Sequence, residues 1–248
     1  MHKLKAVFWD VDGTIADTEM SGHRVAFNLA FKDFDLDWIW RENKYLELLK
    51  ISGGFNRIIH YRNEIKSSIS DSKCSAIQAR KRFHYRNLIQ SGKIKVREGV
   101  LRLFNELFSY NIEQFIVTTS GRDSLEPFLN TSLRSHQNIF SGIITYEDVT
   151  KHKPFPDAYK LAVQLSKKTE VNCLAIEDSS IGVQAAKAAK LNCLLTLPPW
   201  STSYKNISQK ANACVNCLGN DDNPTQLIYG NNLVSNKVDF EYLTKIIN

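Results

Sequence analysis

Two aspartates two residues apart, Asp10 and Asp12, lie in Asp10-Val11-Asp12-Gly13-Thr14, directly after the apolar run Ala6-Val7-Phe8-Trp9. In such a pair one carboxylate can attack an electrophilic phosphorus while the other stands beside the leaving oxygen. A carboxylate nucleophile splits hydrolysis into formation and breakdown of an aspartyl-phosphate, each easier than direct attack by water. Asp12 then serves as general acid in the first step and general base in the second, provided its neighbours raise its pKa towards working pH. Gly13 lets the backbone turn tightly, and neighbouring amides can hold phosphate oxygens.

Three further groups complete a set suited to metal-assisted phosphoryl transfer. Thr118 offers a hydroxyl hydrogen bond to a phosphate oxygen. Lys153 offsets charge on the transferring group and helps hold the nucleophile. Glu177 and Asp178 repel each other unless a cation lies between them and Asp10, and Mg²⁺ suits carboxylate and phosphate oxygens in octahedral geometry. Each motif alone is commonplace in turns and solvated faces. Their joint occurrence, in this order and each at the end of an apolar run, points to one site.

Elements must bring these residues together. Ala6–Trp9 reads as a buried strand ending in a polar loop, and Phe115-Ile116-Val117 as a second, ending in Thr118-Thr119-Ser120-Gly121. Further strands are expected over 142–145, 173–176 and 193–197, alternating with helices over 157–168 and 181–190. That alternation predicts an α/β fold with a Rossmann-like parallel sheet, whose carboxyl strand ends share one edge where chemistry is placed. From about Ser21 to Gln90 the period is helical, through Val25, Leu29, Tyr45, Leu48, Leu49, Ile58 and Ile59, with Gly53-Gly54 as punctuation. This stretch reads as a helical insertion, dividing the chain into a core of residues 1–17 and 94–248 and a cap of residues 18–93. The region 198–236, rich in Asn, Ser and Gly, reads mostly as loop around a short strand near 213–215.

The 248 residues hold enough chain for one domain with an insertion, and 43% hydrophobic against 23% charged residues excludes wholesale disorder. The excess of 32 Lys+Arg over 26 Asp+Glu gathers between Lys73 and Arg97. We read that run as a helix whose Ala76, Ile77, Phe83 and Leu88 face a core and whose basic residues are solvated, rather than as a nucleic-acid surface. Five scattered cysteines do not make a disulfide framework, and Cys214 and Cys217 read as ordinary buried thiols. The start Met1-His2-Lys3-Leu4-Lys5 leads straight into a strand, and no apolar stretch approaches the roughly 20 residues of a membrane helix. A soluble protein without a targeting segment is expected, in bacterial cytoplasm or plastid stroma.

The motif order resembles the haloacid dehalogenase-like (HAD-like) phosphohydrolases. The resemblance rests on Asp10-Val11-Asp12-Gly13-Thr14, Thr118, Lys153-Pro154-Phe155-Pro156-Asp157 and Glu177-Asp178-Ser179-Ser180-Ile181-Gly182-Val183-Gln184-Ala185-Ala186. It implies catalytic roles for Asp10, Asp12, Thr118 and Lys153, and Mg²⁺ held by Asp10, Asp12, Glu177 and Asp178. Within the family, Asp17-Thr18-Glu19, Gly22-His23-Arg24-Val25-Ala26-Phe27-Asn28, Asp37-Trp38, Tyr45, Leu48-Leu49-Lys50-Ile51 and Gly53-Gly54 are similar to the CbbY-like sugar-phosphate phosphatases. That likeness implies hydrolysis of xylulose 1,5-bisphosphate, a Rubisco inhibitor, to xylulose 5-phosphate. It also implies substrate contacts from Glu19, His23, Gly53, Gly54, Arg57 and Thr119. An Arg on a cap loop can grip a distal phosphate bidentately.

Two departures stand out. Phe55-Asn56-Arg57 replaces the Lys-Glu-Arg usual in the group, which removes a positive charge. Lys190-Leu191-Asn192 lacks the usual helix-ending Gly, and Asn192 is expected to supply the left-handed cap. Trp38, Trp40 and Tyr45 read as cap core, with a pocket wall as the alternative. Other functions the residues admit are a β-phosphoglucomutase-like mutase, a phosphoglycolate-type phosphatase, and a non-catalytic regulator on the same scaffold. The expected partner is a small sugar phosphate, with no nucleic acid or membrane, and the expected state is a monomer.

Overall fold

The computed structural model describes residues 3–51, 53–201 and 210–248. They form two compact units, one of Met1–Asp17 with Lys95–Asn248 and the other of Thr18–Ile94.

The first unit is built on a sheet of strands β1 (Ala6–Trp9), β2 (Glu113–Val117), β3 (Phe140–Ile144), β4 (Cys173–Glu177), β5 (Asn192–Thr196), β6 (Ala213–Val215) and β7 (Leu227–Tyr229). Their spatial order is β3-β2-β1-β4-β5-β6-β7. All neighbours are parallel except β6 and β7. The order reverses at β1, which lies between β2 and β4, and an α/β sheet opens its crevice for chemistry at such a point. β1 and β4 are buried throughout, which explains the apolar runs Ala6–Trp9 and Cys173–Ile176.

Helices α5 (Val100–Ser109), α6 (Arg122–Thr131), α7 (Asp157–Ser166), α8 (Ser180–Ala188) and α9 (Phe240–Ile246) belong to this unit. Side chains alternate across the pleat, so Phe8 and Trp9 face opposite layers. Phe8 joins Phe115, Tyr159, Ala162, Val183 and Ala186 in one core. Trp9 packs edge-on against Phe104 of α5, with ring centroids 4.7 Å apart.

The second unit is helical: a π-helical turn over Glu19–His23, then α1 (Arg24–Asp33), α2 (Glu42–Leu48), α3 (Gly54–Glu64) and α4 (Asp71–Gln90). Its centre is aromatic. Phe27 and Phe31 of α1 pack on Trp40, and Trp38 and Trp40 meet Tyr61 edge-on. Asn28 holds this wall in place, donating to Trp40 O at 3.1 Å and accepting from Trp40 N at 2.8 Å.

Three expectations need correction. The basic helix exists as α4, capped by Ser70 Oγ accepting from Lys73 N, but its phase differs. Its buried stripe is Cys74, Ile77, Lys81, Tyr85, Leu88 and Ile89, whereas Ala76 is exposed and Phe83 is 44% exposed. Apolarity alone misphases a helix when a lysine and a tyrosine occupy two of its inward positions. The left-handed residue after α8 is Lys190 (φ +63°), not Asn192. Leu191 N donates to Ala186 O there, and Asn192 opens β5, accepting from Asn212 Nδ2. Within 198–236 the antiparallel strand β7 escaped notice because three half-exposed residues carry no periodic signal. Residues 202–209 of that stretch lie outside the described residues. α9, capped by Asp239, follows it near the C-terminus.

Candidate active site

At the carboxyl edge of the sheet, four loops deliver the expected groups. Asp10 follows β1, Thr118 follows β2, Lys153 lies in the loop after β3, and Glu177 ends β4 with Asp178 next to it. Lys153 Nζ donates to Asp10 Oδ1 at 2.7 Å and to Val117 O at 2.9 Å, and pairs with Glu177 Oε1 at 2.7 Å. All three charged residues are buried, Glu177 completely. Burial opposes the charge of Lys153, but the carboxylates of Asp10 and Glu177 outweigh it and hold the ammonium above its usual range. Burial pushes Asp10 the other way, up to about 7, with Lys153 pulling against the rise and Glu177 adding to it. Asp178 is raised well above its usual range, first by burial and then by Asp10 and Glu177.

Local sequence accounts for this placement. A Cβ on Gly182 would lie 1.9 Å from Glu177 Oε2, so the first turn of α8 leaves room for that carboxylate only with glycine there. Gly13 has φ +90°, and a Cβ on it would lie 2.0 Å from Asp178 Oδ2. Asp12 Oδ2 accepts from Ser120 Oγ at 2.5 Å, and Thr118 Oγ1 accepts from Ser120 N at 3.0 Å. Thr119 is exposed on the same loop.

The other unit carries a second polar cluster, which contains three of the residues expected to touch substrate. Tyr45 OH donates to Glu19 Oε2 at 2.6 Å, and Arg57 Nη1 donates to Tyr45 OH at 3.3 Å and lies 3.7 Å from Glu19 Oε2. Arg57 Nε donates to Ile51 O at 2.9 Å. Burial, then Glu19, holds the Tyr45 phenol well above its usual range, so its proton stays on the donor side of that bond. The π-helical turn, closed by His23 N donating to Thr18 O at 2.7 Å, sets Glu19 and His23 on one wall, four residues apart. His23 stacks on Tyr85 at 3.9 Å, and its Nδ1 lies 2.8 Å from Lys81 Nζ. Burial, Lys81 and Arg57 keep this imidazole well below its usual pKa, so a neutral ring accepts from the lysine. Gly53 has φ +86° at the entry to α3, and Gly54 backs onto the Gln78 amide.

Residues 7–196 match the haloacid dehalogenase-like hydrolase family. The chain belongs to that family. It is 35% identical over 195 residues to protein CbbY of Rhodobacter capsulatus, covering 78% of this chain and 86% of the relative. The crystal structure of CbbY from Rhodobacter sphaeroides in complex with phosphate matches with a TM-score of 0.75 at 30% identity, over 86% of this chain and 94% of that one. A CbbY mutant from the same organism, in complex with xylulose 1,5-bisphosphate, matches with a TM-score of 0.74 at 29% identity and the same coverage. This HAD-like chain is therefore a CbbY-like enzyme of the hydrolase class, with the mostly parallel sheet of its family. No described helix is long and apolar enough to cross a membrane.

The donor set of this HAD-like site fits a hard divalent cation. Carboxylate oxygens of Asp10, Glu177 and Asp178 lie within 4.8 Å of one another, and buried Glu177 Oε2 has no hydrogen-bond partner. Three converging carboxylates offer the oxygen donors that Mg²⁺ takes. The Asp12 carboxylate is held by Ser120.

Four side chains make contacts in these clusters that their sequence positions do not reveal. Tyr159 OH donates to Glu177 Oε1 at 2.5 Å from within α7. Ser120 had been one of several hydroxyls in its loop. Lys81 was hidden in a basic run yet is only 7% exposed. Tyr45 belongs to the aromatic core by its ring and to the Glu19 cluster by its hydroxyl. The tyrosines carried no signal beyond apolar spacing, whereas the interval of four between Ile77 and Lys81, and between Lys81 and Tyr85, would have marked the lysine as inward.

Proposed function

We propose that this enzyme is a Mg²⁺-dependent phosphatase acting on a small sugar bisphosphate, with xylulose 1,5-bisphosphate as the preferred substrate and xylulose 5-phosphate as product. The observation that carries this reading is the buried Asp10–Lys153–Glu177 arrangement beside Asp178. Its likeness to CbbY, one structure of which holds that bisphosphate, supports the choice of substrate.

Lys153 holds one Asp10 oxygen and fixes the plane of the carboxylate, so the nucleophile enters the reaction oriented. Asp10 forms a bond to phosphorus as the bond from phosphorus to the sugar oxygen breaks, and Asp12 gives its proton to that oxygen. Water then attacks the phosphorus of the aspartyl-phosphate, Asp12 takes its proton, and the bond from Asp10 to phosphorus breaks to release inorganic phosphate. Ser120 donates to Asp12 Oδ2 and so orients that carboxyl group. Asp10, Asp12, Glu177 and Asp178 would hold Mg²⁺, which when bound would neutralise charge on the phosphoryl oxygens. Thr118 and Thr119 are assigned to the phosphate, and Glu19, His23, Gly53, Gly54 and Arg57 to the remainder of the substrate. Arg57 and Lys81 supply cap cations in a chain where Phe55 supplies none.

The test is phosphate release from a panel of xylulose 1,5-bisphosphate, glycolate 2-phosphate and β-glucose 1-phosphate, with and without Mg²⁺. We expect the bisphosphate to give the highest kcat/KM, and Asp10→Asn to lower kcat by about 10⁴-fold or more in a protein that keeps its circular dichroism. Equal kcat/KM for bisphosphate and monophosphates overturns the substrate. Conversion of β-glucose 1-phosphate to glucose 6-phosphate, in place of net release, overturns the hydrolase in favour of a mutase.

A further inference from the structure

Arg97 closes the basic run of the sequence, yet its guanidinium makes four bonds to main-chain carbonyls. Nη1 donates to Gly13 O and, at 3.3 Å, to Thr196 O. Nη2 donates to Leu197 O at 2.5 Å and to Asn216 O at 3.2 Å. These acceptors come from three places: the loop after β1, the end of β5 and the end of β6. The backbone of the same residue joins in, since Arg97 N donates to Ile15 O at 2.7 Å and Val96 pairs antiparallel with Ala16.

The link from Arg97 to the chemistry is short. Gly13 directly follows Asp12, its carbonyl is held by Arg97, and its Cα faces the Asp178 carboxylate so closely that no Cβ fits. Burial works against the charge of Arg97, and Asp178 is the leading group that sustains it. A guanidinium presents five N–H donors in a rigid planar fork, whereas a lysine has three donors on a single nitrogen, too few for the four carbonyls that Arg97 holds.

We infer that Arg97 is a positioning residue for the proposed reaction: it sets the Asp12-Gly13 turn against Asp178, and through that turn the general acid and one carboxylate of the cation site. The kinetic part of this inference rests on the phosphatase reading, and the exchange part does not.

The test is Arg97→Lys, which keeps the charge and removes the fork. We expect kcat to fall about 10–100-fold, the Mg²⁺ concentration for half-maximal rate to rise by about tenfold, and substrate KM to stay within about twofold. In the metal-free protein, hydrogen exchange should quicken in peptides covering 11–16 and stay unchanged in those covering β1 and β4. Guanidinium ion at non-denaturing concentration should restore part of the rate to Arg97→Ala, and methylammonium should not. A folded Arg97→Lys protein with unchanged kcat and unchanged exchange at 11–16 overturns the inference. So does uniformly faster exchange across the sheet, which would mark Arg97 as a staple for the whole fold. If Arg97→Lys does not fold, Arg97→Gln is measured for the same outcomes. Failure of the phosphatase reading shows instead as no phosphate release from the unsubstituted protein.

Discussion

The two polar clusters of this molecule are built on different principles. At the sheet edge, charged groups sit at strand ends, are held by several bonds each, and neutralise one another: Lys153 alone meets two carboxylates and a carbonyl. In the helical unit, polar tips project from side chains whose bodies belong to an aromatic core, as with Tyr45, or lie over rings, as with Lys81 near Phe27 and Tyr85. Strand ends give a nearly fixed lattice of positions, whereas helix faces let neighbouring side chains be exchanged with little effect on the backbone. The first arrangement suits bond making and breaking, which tolerates little displacement. The second suits discrimination among substrates.

Exchanging a lysine in each cluster tests that division most strongly. Lys153→Met leaves Asp10 and Glu177 buried without their cation, so we expect kcat to fall by about 10²–10³-fold, read from phosphate release under saturating Mg²⁺. Lys81→Met should instead raise KM by about tenfold and move kcat far less, since the neutral His23 keeps its stack on Tyr85. A kcat loss as large as that of Lys153→Met would erase the distinction.

pH sharpens it further. Asp10 and Asp178 have folded pKa values raised above their unfolded ones, so in metal-free protein the stability they confer is complete below about pH 4. It is lost as pH rises through about 7, the value for Asp10. His23 has the opposite dependence: its folded pKa is depressed, so its unfavourable protonation costs stability as pH falls below about 6.5. Calorimetric Tm without metal should therefore decline from pH 5 to pH 8 through the sheet-edge carboxylates. Added Mg²⁺ should raise Tm more at pH 8 than at pH 5, and a gain independent of pH would contradict the carboxylate site. His23→Gln should flatten the acid side alone.

The smallest effects concern the phase of α4. Ile77→Ala should cost about 2–5 kcal/mol in denaturant unfolding, and Phe83→Ala within about 0.5 kcal/mol, because only Ile77 is buried. Equal losses would restore the phase inferred from apolar residues alone.

The core site was legible because its residues end or follow the strands, and strands with helices between them converge on one edge whatever the loops contain. Asp10, Thr118, Lys153, Glu177 and Asp178 were found in this way. Ser120, Tyr159 and Arg97 were not, since each acts across a distance in sequence: Ser120 reaches Asp12 over 108 residues and Arg97 reaches Gly13 over 84. In the helical unit Glu19, His23 and Arg57 stand out through family likeness, while the basic neighbours of Lys81 make it read as solvated. The expected left-handed Asn192 failed for a related reason. Asparagine tolerates that conformation best among non-glycine residues, but here the chain needed the turn two residues earlier, at Lys190.

The sequence by itself determined the order of elements, the sheet edge that bears the chemistry and the acidic, basic and hydroxyl groups delivered to it. Local apolar periodicity and strand-end position are properties of short stretches, and short stretches carry them intact. Only the tertiary structure decided which lysine is buried, which carboxylate oxygen is left without a partner and which arginine braces the catalytic turn. Those outcomes depend on desolvation and on the competition of several distant groups for one charge, and no local stretch contains that competition.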